Sequence, residues 1–128
     1  MNKVIRPGTI PEPLSKFAHA IEVPPGARQV FVSGQVGVDA HGKLGDDIET
    51  QIRNAFDNVQ AVLQAADMTL SDVVRLNTYL TDANDVGVFR AIRDEIMDGV
   101  LTASTLVMIS ALVHPAMKVE IECVAAKA

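Results

Sequence analysis

Ile48, Ile52, Ala55, Phe56, Val59, Val62, Leu63 and Ala66 follow one another at spacings of three and four. That period lays one apolar stripe along about five turns of α-helix, and a stripe of that length has to be buried against a partner layer. Asp46 and Asp47 stand where an N-cap and a favourable contact with the helix dipole belong. The chain after the helix supplies the partner layer. Residues 73–80 (VVRLNTYL) alternate, with Val74, Leu76, Thr78 and Leu80 on one face and Val73, Arg75, Asn77 and Tyr79 on the other, which is the period of a strand.

Residues 81–85 (TDAND) offer N-caps for a second helix, whose apolar stripe is Val86, Phe89, Ile92, Ile96 and Met97 and whose C′ residue is Gly99. Residues 105–112 (TLVMISAL) are almost continuously apolar, the pattern of a central strand covered on both faces. Residues 118–126 (KVEIECVAA) alternate, with Val119, Ile121 and Cys123 inward and Lys118, Glu120 and Glu122 opposite. Upstream, residues 3–5 suit a short edge strand, and Pro7, Gly8, Pro11 and Pro13 bar a helix from the opening segment. Residues 17–23 (FAHAIEV) and 29–33 (QVFVS) read as strands on either side of Pro24-Pro25-Gly26, which predicts a hairpin. Gly34 and Gly37 interrupt the second of these, and His41-Gly42-Lys43 is a further turn.

The expected order is β-β-β-α-β-α-β-β: an α+β fold with one mostly antiparallel or mixed sheet and two helices packed on one face. A length of 128 residues without repeat or linker predicts a single domain spanning residues 1–128. Helices on one face leave the other face bare, and residues 105–112 carry too few polar positions to be wetted there. Assembly through that face is the expected remedy, with any cleft then lying between subunits.

Composition removes several functional classes. A formal net charge of −5 opposes general binding to a phosphate backbone. The lone cysteine, Cys123, forms no intramolecular disulfide and belongs to no cysteine-rich metal site; its alternation with core residues reads as packing rather than nucleophilic chemistry. The longest nearly apolar run, residues 106–113, is too short to span a bilayer, and MNKVIRPGTIPEP lacks the apolar run of a signal peptide. A cytoplasmic, soluble protein is expected, with no membrane or nucleic-acid partner. There is no Gly-rich phosphate loop, dinucleotide fingerprint, HExxH or paired CxxC, and the three histidines have no ligand spacing, so no metal site is expected. His41 and His114 read as turn residues, and His19 as a structural residue or one lining a site. Ser33 in VSGQ is not a nucleophile elbow, which needs glycine on both sides at fixed spacing.

Four segments carry a resemblance. PLSKFAHAIEV (13–23), FVSGQVG (31–37), the 54–58 region leading to VVRLNTYLTDAND (73–85), and LVHPAMKVEIECVA (112–125) together resemble the YjgF/Rid family of reactive-intermediate imine and enamine deaminases. The resemblance spans essentially the whole chain. It implies a chorismate-mutase-like α+β domain in a homotrimer, with a small-molecule cleft at each subunit boundary. It further implies hydrolysis of 2-aminoacrylate or related imines to a 2-keto acid and ammonia, with no metal or organic cofactor.

Residue by residue, the family's cleft tyrosine falls on Phe17, which keeps the ring and loses the hydroxyl. The SGQ element stands intact at Ser33, Gly34 and Gln35, and the glutamate that holds or activates water falls on Glu120, the expected catalytic residue. The Pro-Ala-Arg stretch whose arginine clamps the substrate carboxylate falls on Thr102, Ala103 and Ser104, so the clamp is missing. A guanidinium grips a carboxylate through two charge-assisted hydrogen bonds where a serine offers one neutral donor; the loss is worth about 2–4 kcal/mol. Ser104 and Thr105 are left to bond a neutral or smaller substrate group, and Arg90 on the second helix is a candidate replacement cation. The resemblance therefore implies a hydrolase whose substrate is not 2-aminoacrylate itself. Its alternatives are a non-catalytic small-molecule-binding or regulatory trimer and, more remotely, an endoribonuclease or translation inhibitor, as some relatives are named.

Overall fold

A computed structural model describes residues Met1–Ala128. Strands β1 (Lys3–Ile5), β2 (Ala20–Glu22) and β3 (Arg28–Val36) precede helix α1 (Ile48–Ala65), followed by β4 (Val73–Leu80), α2 (Val86–Met97), β5 (Ala103–Met108) and β6 (Val119–Lys127). The expected β-β-β-α-β-α-β-β order is the order observed. The strands form two sheets: β1 and β2 pair antiparallel, and the main sheet runs β3-β6-β4-β5. In the main sheet β6 is antiparallel to both β3 and β4, while β4 and β5 are parallel, joined by the crossover through α2.

Helix α1 starts where Asp47 accepts the Thr50 N–H at 2.7 Å, satisfying one of the helix's unpaired first-turn donors. Most of its stripe is sealed: Ile52, Ala55, Phe56, Val59 and Leu63 have no exposed surface, whereas Val62, which the spacing places in the stripe, is 38% exposed. The sealed residues meet Val32 of β3, Leu76 and Leu80 of β4, and Val119, Ile121 and Cys123 of β6 in one apolar cluster. Helix α2 joins through Phe89, whose ring stacks on Phe56 at 6.1 Å between centroids. Helix α2 ends in a left-handed Asp98 followed by Gly99 at φ +85°, a conformation that glycine adopts without a Cβ clash.

Two pairings differ from expectation. The hairpin of residues 17–23 with 29–33 does not form: β2 pairs with β1, and β3 pairs with β6. Pro24 and Pro25 have no N–H to donate at the foot of a ladder, so the turn changes the chain's direction without joining its flanks. The second correction concerns residues 105–112. The strand is shorter, Ala103–Met108, and lies at the sheet's edge rather than its centre, with Val107 and Met108 about 40% exposed. Continuous apolarity reports that both faces want cover, and it does not say whether the cover comes from this chain.

Candidate functional site

The register between β3 and β6 slips between Val32, opposite Cys123, and Gln35, opposite Ile121. Ser33 and Gly34 therefore share the place opposite Glu122, a two-against-one bulge that breaks the ladder and redirects the strand. Glu120 lies over this bulge. A β-carbon on Gly34 would stand 2.8 Å from the carboxyl carbon of Glu120, closer than such atoms approach, so the Glu120 side chain would have to shift. On the neighbouring strand Tyr79 is in register with Glu120 and donates its hydroxyl to the Glu122 carboxylate. That bond, loss of hydration and the nearby Glu120 charge hold the Tyr79 phenol above its ordinary value of 10.0.

Behind the bulge, Gln51 of α1 fixes the approach. Its side chain donates to the carbonyls of Gly45 and Ala116 at 3.0 Å each and accepts the Lys118 N–H at 2.8 Å. The turn after β3 is thereby tied to the residues that lead into β6. Asn54 and Asn58 add donors to the carbonyls of Gly37 at 3.1 Å and Val38 at 3.0 Å. At Gly37 the helix backbone is so close that a β-carbon would fall 2.7 Å from the Gln51 carbonyl oxygen.

The opposite edge of the sheet carries an open depression of about 300 Å³. Phe17, Arg90, Ser104 and Thr105 all line it, although they come from three separate parts of the chain: the opening segment, α2 and β5. Leu14, Ser15 and Leu106 complete the wall with Arg93. The Thr105 hydroxyl already accepts a hydrogen bond from Arg75 at 2.7 Å. Phe17 also bounds a second cavity of about 200 Å³, next to Ile5, Pro13 and Leu101. There His19 meets the Phe17 ring edge-on at 6.5 Å, and its Nε2 lies 2.8 Å from the Pro11 carbonyl, pinning the opening segment.

The structure thus separates the sequence-chosen residues into two groups. Phe17, Arg90, Ser104 and Thr105 gather at the β5 edge, whereas Ser33, Gly34 and Glu120 meet at the β3–β6 edge. Arg93 was missed by the sequence reading. It is 5% exposed and lines the same depression as Arg90. Its signal was present, because it sits four residues from both Phe89 and Met97 and so falls within the apolar stripe of α2. Tyr79 was likewise passed over as one of an alternating set. Cys123 is buried, and burial pushes its thiol up to about 11, so the thiolate is scarce near neutrality. His41 and His114 take part in turns, His41 through its N–H to Asp39 at 2.8 Å and His114 as acceptor of the Ala116 N–H at 3.1 Å. No three His, Cys, Asp or Glu side chains come together in a metal-binding group, and no helix is long and apolar enough to cross a membrane.

The family model described as Endoribonuclease L-PSP matches residues 8–127. A RutC family protein of Pyrococcus horikoshii is 30% identical over 131 residues, covering 99% of each chain. The 2-iminobutanoate/2-iminopropanoate deaminase of Dermatophagoides farinae is 27% identical over 95% of this chain and 94% of its own. Among solved structures, a conserved Rid family protein from Yersinia pestis superposes with a TM-score of 0.87 at 31% identity, covering 97% of both chains. With a family model and relatives aligned nearly end to end, and with the chorismate-mutase-like α+β fold of those structures, this chain belongs to the Endoribonuclease L-PSP family, the YjgF/Rid proteins.

Proposed function

We propose that the chain is a cofactor-independent Rid-like deaminase, working in the cytoplasm as a homotrimer on a small imine or enamine other than 2-aminoacrylate. The observation that carries this reading is the division of the candidate residues between two sheet edges. Strands β3 and β5 are the outermost of the four, about 14 Å apart at ordinary strand spacing. A small molecule that touches Glu120 and the depression together needs the β3 edge of one copy set against the β5 edge of another. Such a contact joins two different surfaces, and three copies related by a threefold rotation close it into a ring. The outer face supports the same reading: Asn77 has a buried Oδ1 with no donor, while Phe31 is 73% exposed on the edge strand.

In this site Glu120 takes a proton from water as the water oxygen adds to the imine carbon. Glu120 passes that proton to the nitrogen, then takes the proton of the new hydroxyl and delivers it to the same nitrogen as the carbon–nitrogen bond breaks, so that ammonia leaves, a carbonyl remains and the carboxylate is restored. Gly34 leaves space for the carboxylate, and the bulged backbone at Ser33 and Gly34 lines the site. Phe17 gives an apolar wall, and Arg90, Ser104 and Thr105 hold the far end of the substrate.

A non-catalytic binding trimer is the second reading, favoured by Ser104 and Phe17 standing where the resemblance places an arginine and a tyrosine. The ribonuclease name carried by the family is a weaker guide here, because Glu120 and Glu122 stand together on an acidic chain and repel phosphates.

Ammonia release from imines generated in place by an amino-acid oxidase tests the proposal, with Ser104→Arg assayed beside the parent. The parent is expected to speed release from at least one imine but not from 2-aminoacrylate, and Ser104→Arg to gain activity on 2-aminoacrylate. Bound metabolite without any turnover across the panel overturns the deaminase in favour of the binding trimer. RNA degraded by the pure protein overturns it in favour of the nuclease.

A further inference from the structure

The depression beside Phe17 is lined by two guanidinium groups, three hydroxyls and no carboxylate. Its two arginines differ in kind. Arg93 is buried and held in place: Nε and Nη2 bond the Asp94 carboxylate at 3.1 and 2.9 Å, and Nη2 also reaches the Ser15 hydroxyl at 2.8 Å. Those bonds leave the Nη1 donors of Arg93 without a protein partner, on a side chain that lines the depression. Arg90 is exposed, forms no ion pair, and lies three residues earlier on α2, where side chains share a face. A fixed guanidinium with spare donors and an exposed, unpaired one beside it meet the demands of two separate anionic groups. A single carboxylate would leave the Arg90 charge unmatched.

We propose that this depression selects a small dicarboxylate, one carboxylate bonded to Arg93 and the second to Arg90, with Ser15 and Ser104 as neutral donors. Resting on the deaminase reading, the substrate class is then the imine or enamine of an acidic, dicarboxylic amino acid. The cationic clamp is carried by α2 rather than by β5. Arg93 supplies orientation because its rotamer is set before the ligand arrives. Arg90 supplies selectivity, since only the longer diacid reaches it. The hydroxyls of Ser104 and Thr105 leave room at the β5 side that a long cationic side chain there would fill.

Binding of the corresponding keto products tests this without any turnover. Calorimetric titration of the full-length protein with 2-oxoglutarate and with 2-oxobutanoate compares a diacid and a monoacid that share the same head group. The diacid is expected to bind at least tenfold more tightly. Arg90→Gln, an exposed change, is expected to erase that advantage by weakening the diacid at least tenfold more than the monoacid. Arg93→Lys is expected to weaken both ligands. Equal affinity for the two acids, no binding of either, or a diacid preference that survives Arg90→Gln overturns the inference. The two proposals fail separately. Diacid selectivity without ammonia release sinks the deaminase and leaves the clamp. Ammonia release from monocarboxylic imines with no diacid preference sinks the clamp and leaves the deaminase.

Discussion

Gly34 and Glu120 are 86 positions apart in sequence, yet the glycine's missing side chain is the space that the glutamate occupies: a β-carbon at position 34 would lie 2.8 Å from the Glu120 carboxyl carbon. The pair links the bulge of an edge strand to the carboxylate proposed for proton transfer.

Gly34→Ala is expected to displace Glu120 while costing little stability, because both residues lie at the surface side of the sheet where the carboxylate can swing away. Ammonia release should fall by about a hundredfold or more, the scale of a lost general base, with Glu120→Gln giving a similar loss. Thermal melting measured alongside should shift by only a few degrees for either variant. A large melting shift with activity preserved per folded molecule would show that the contact serves packing alone.

Tyr79 is the chain's one tyrosine and there is no tryptophan, so ultraviolet absorbance of the tyrosinate follows this residue alone. Its hydroxyl donates to Glu122, which holds the folded-state pKa above 10.0. The sign follows from linkage: stability from this bond is fully present below the unfolded pKa and is lost as pH rises through the folded one. The titration midpoint in the native protein should therefore exceed 10, and Glu122→Gln should lower it. A native midpoint at or below 10 would contradict the hydrogen bond.

Cys123 should resist thiol reagents. The group is buried at 3% exposure and its pKa is pushed up to about 11. Labelling with an aromatic disulfide at pH 8 is expected to be far slower than for a free thiol and to become complete only in denaturant. Cys123→Ala should retain ammonia release, since the sulfur faces the core with Ile121 and Val119. Rapid labelling of the native protein would place the thiol in an open site.

What could be read from sequence tracks how local each signal is. The α1 stripe and the alternation of β4 and β6 are written within single segments, and all three elements stand where their periodicity places them. The pairing of β3 with β6 and of β2 with β1 is settled by long-range packing that adjacency in sequence misjudges. Residues 105–112 misled for a related reason, since their apolarity asks for cover that the single chain does not provide. Arg93 was overlooked because its charge masked its position in the α2 stripe. The Gly34–Glu120 contact joins β3 to β6, and neither residue signals it alone; only the family resemblance drew attention to both.

A working site, on this reading, takes Glu120 from one copy and the depression around Ser104 from another. Subunit complementation separates a shared site from one carried whole by each chain. Glu120→Gln removes the base, and Ser104→Glu puts a repelling carboxylate in the depression, so each variant alone should be inactive. After the two are mixed, dissociated and reassembled, one site in four combines two intact halves by random assortment, so about a quarter of the parental rate of ammonia release should return. A mixture as inactive as either variant, with the parent active, would show that each chain carries its site complete and would contradict the account.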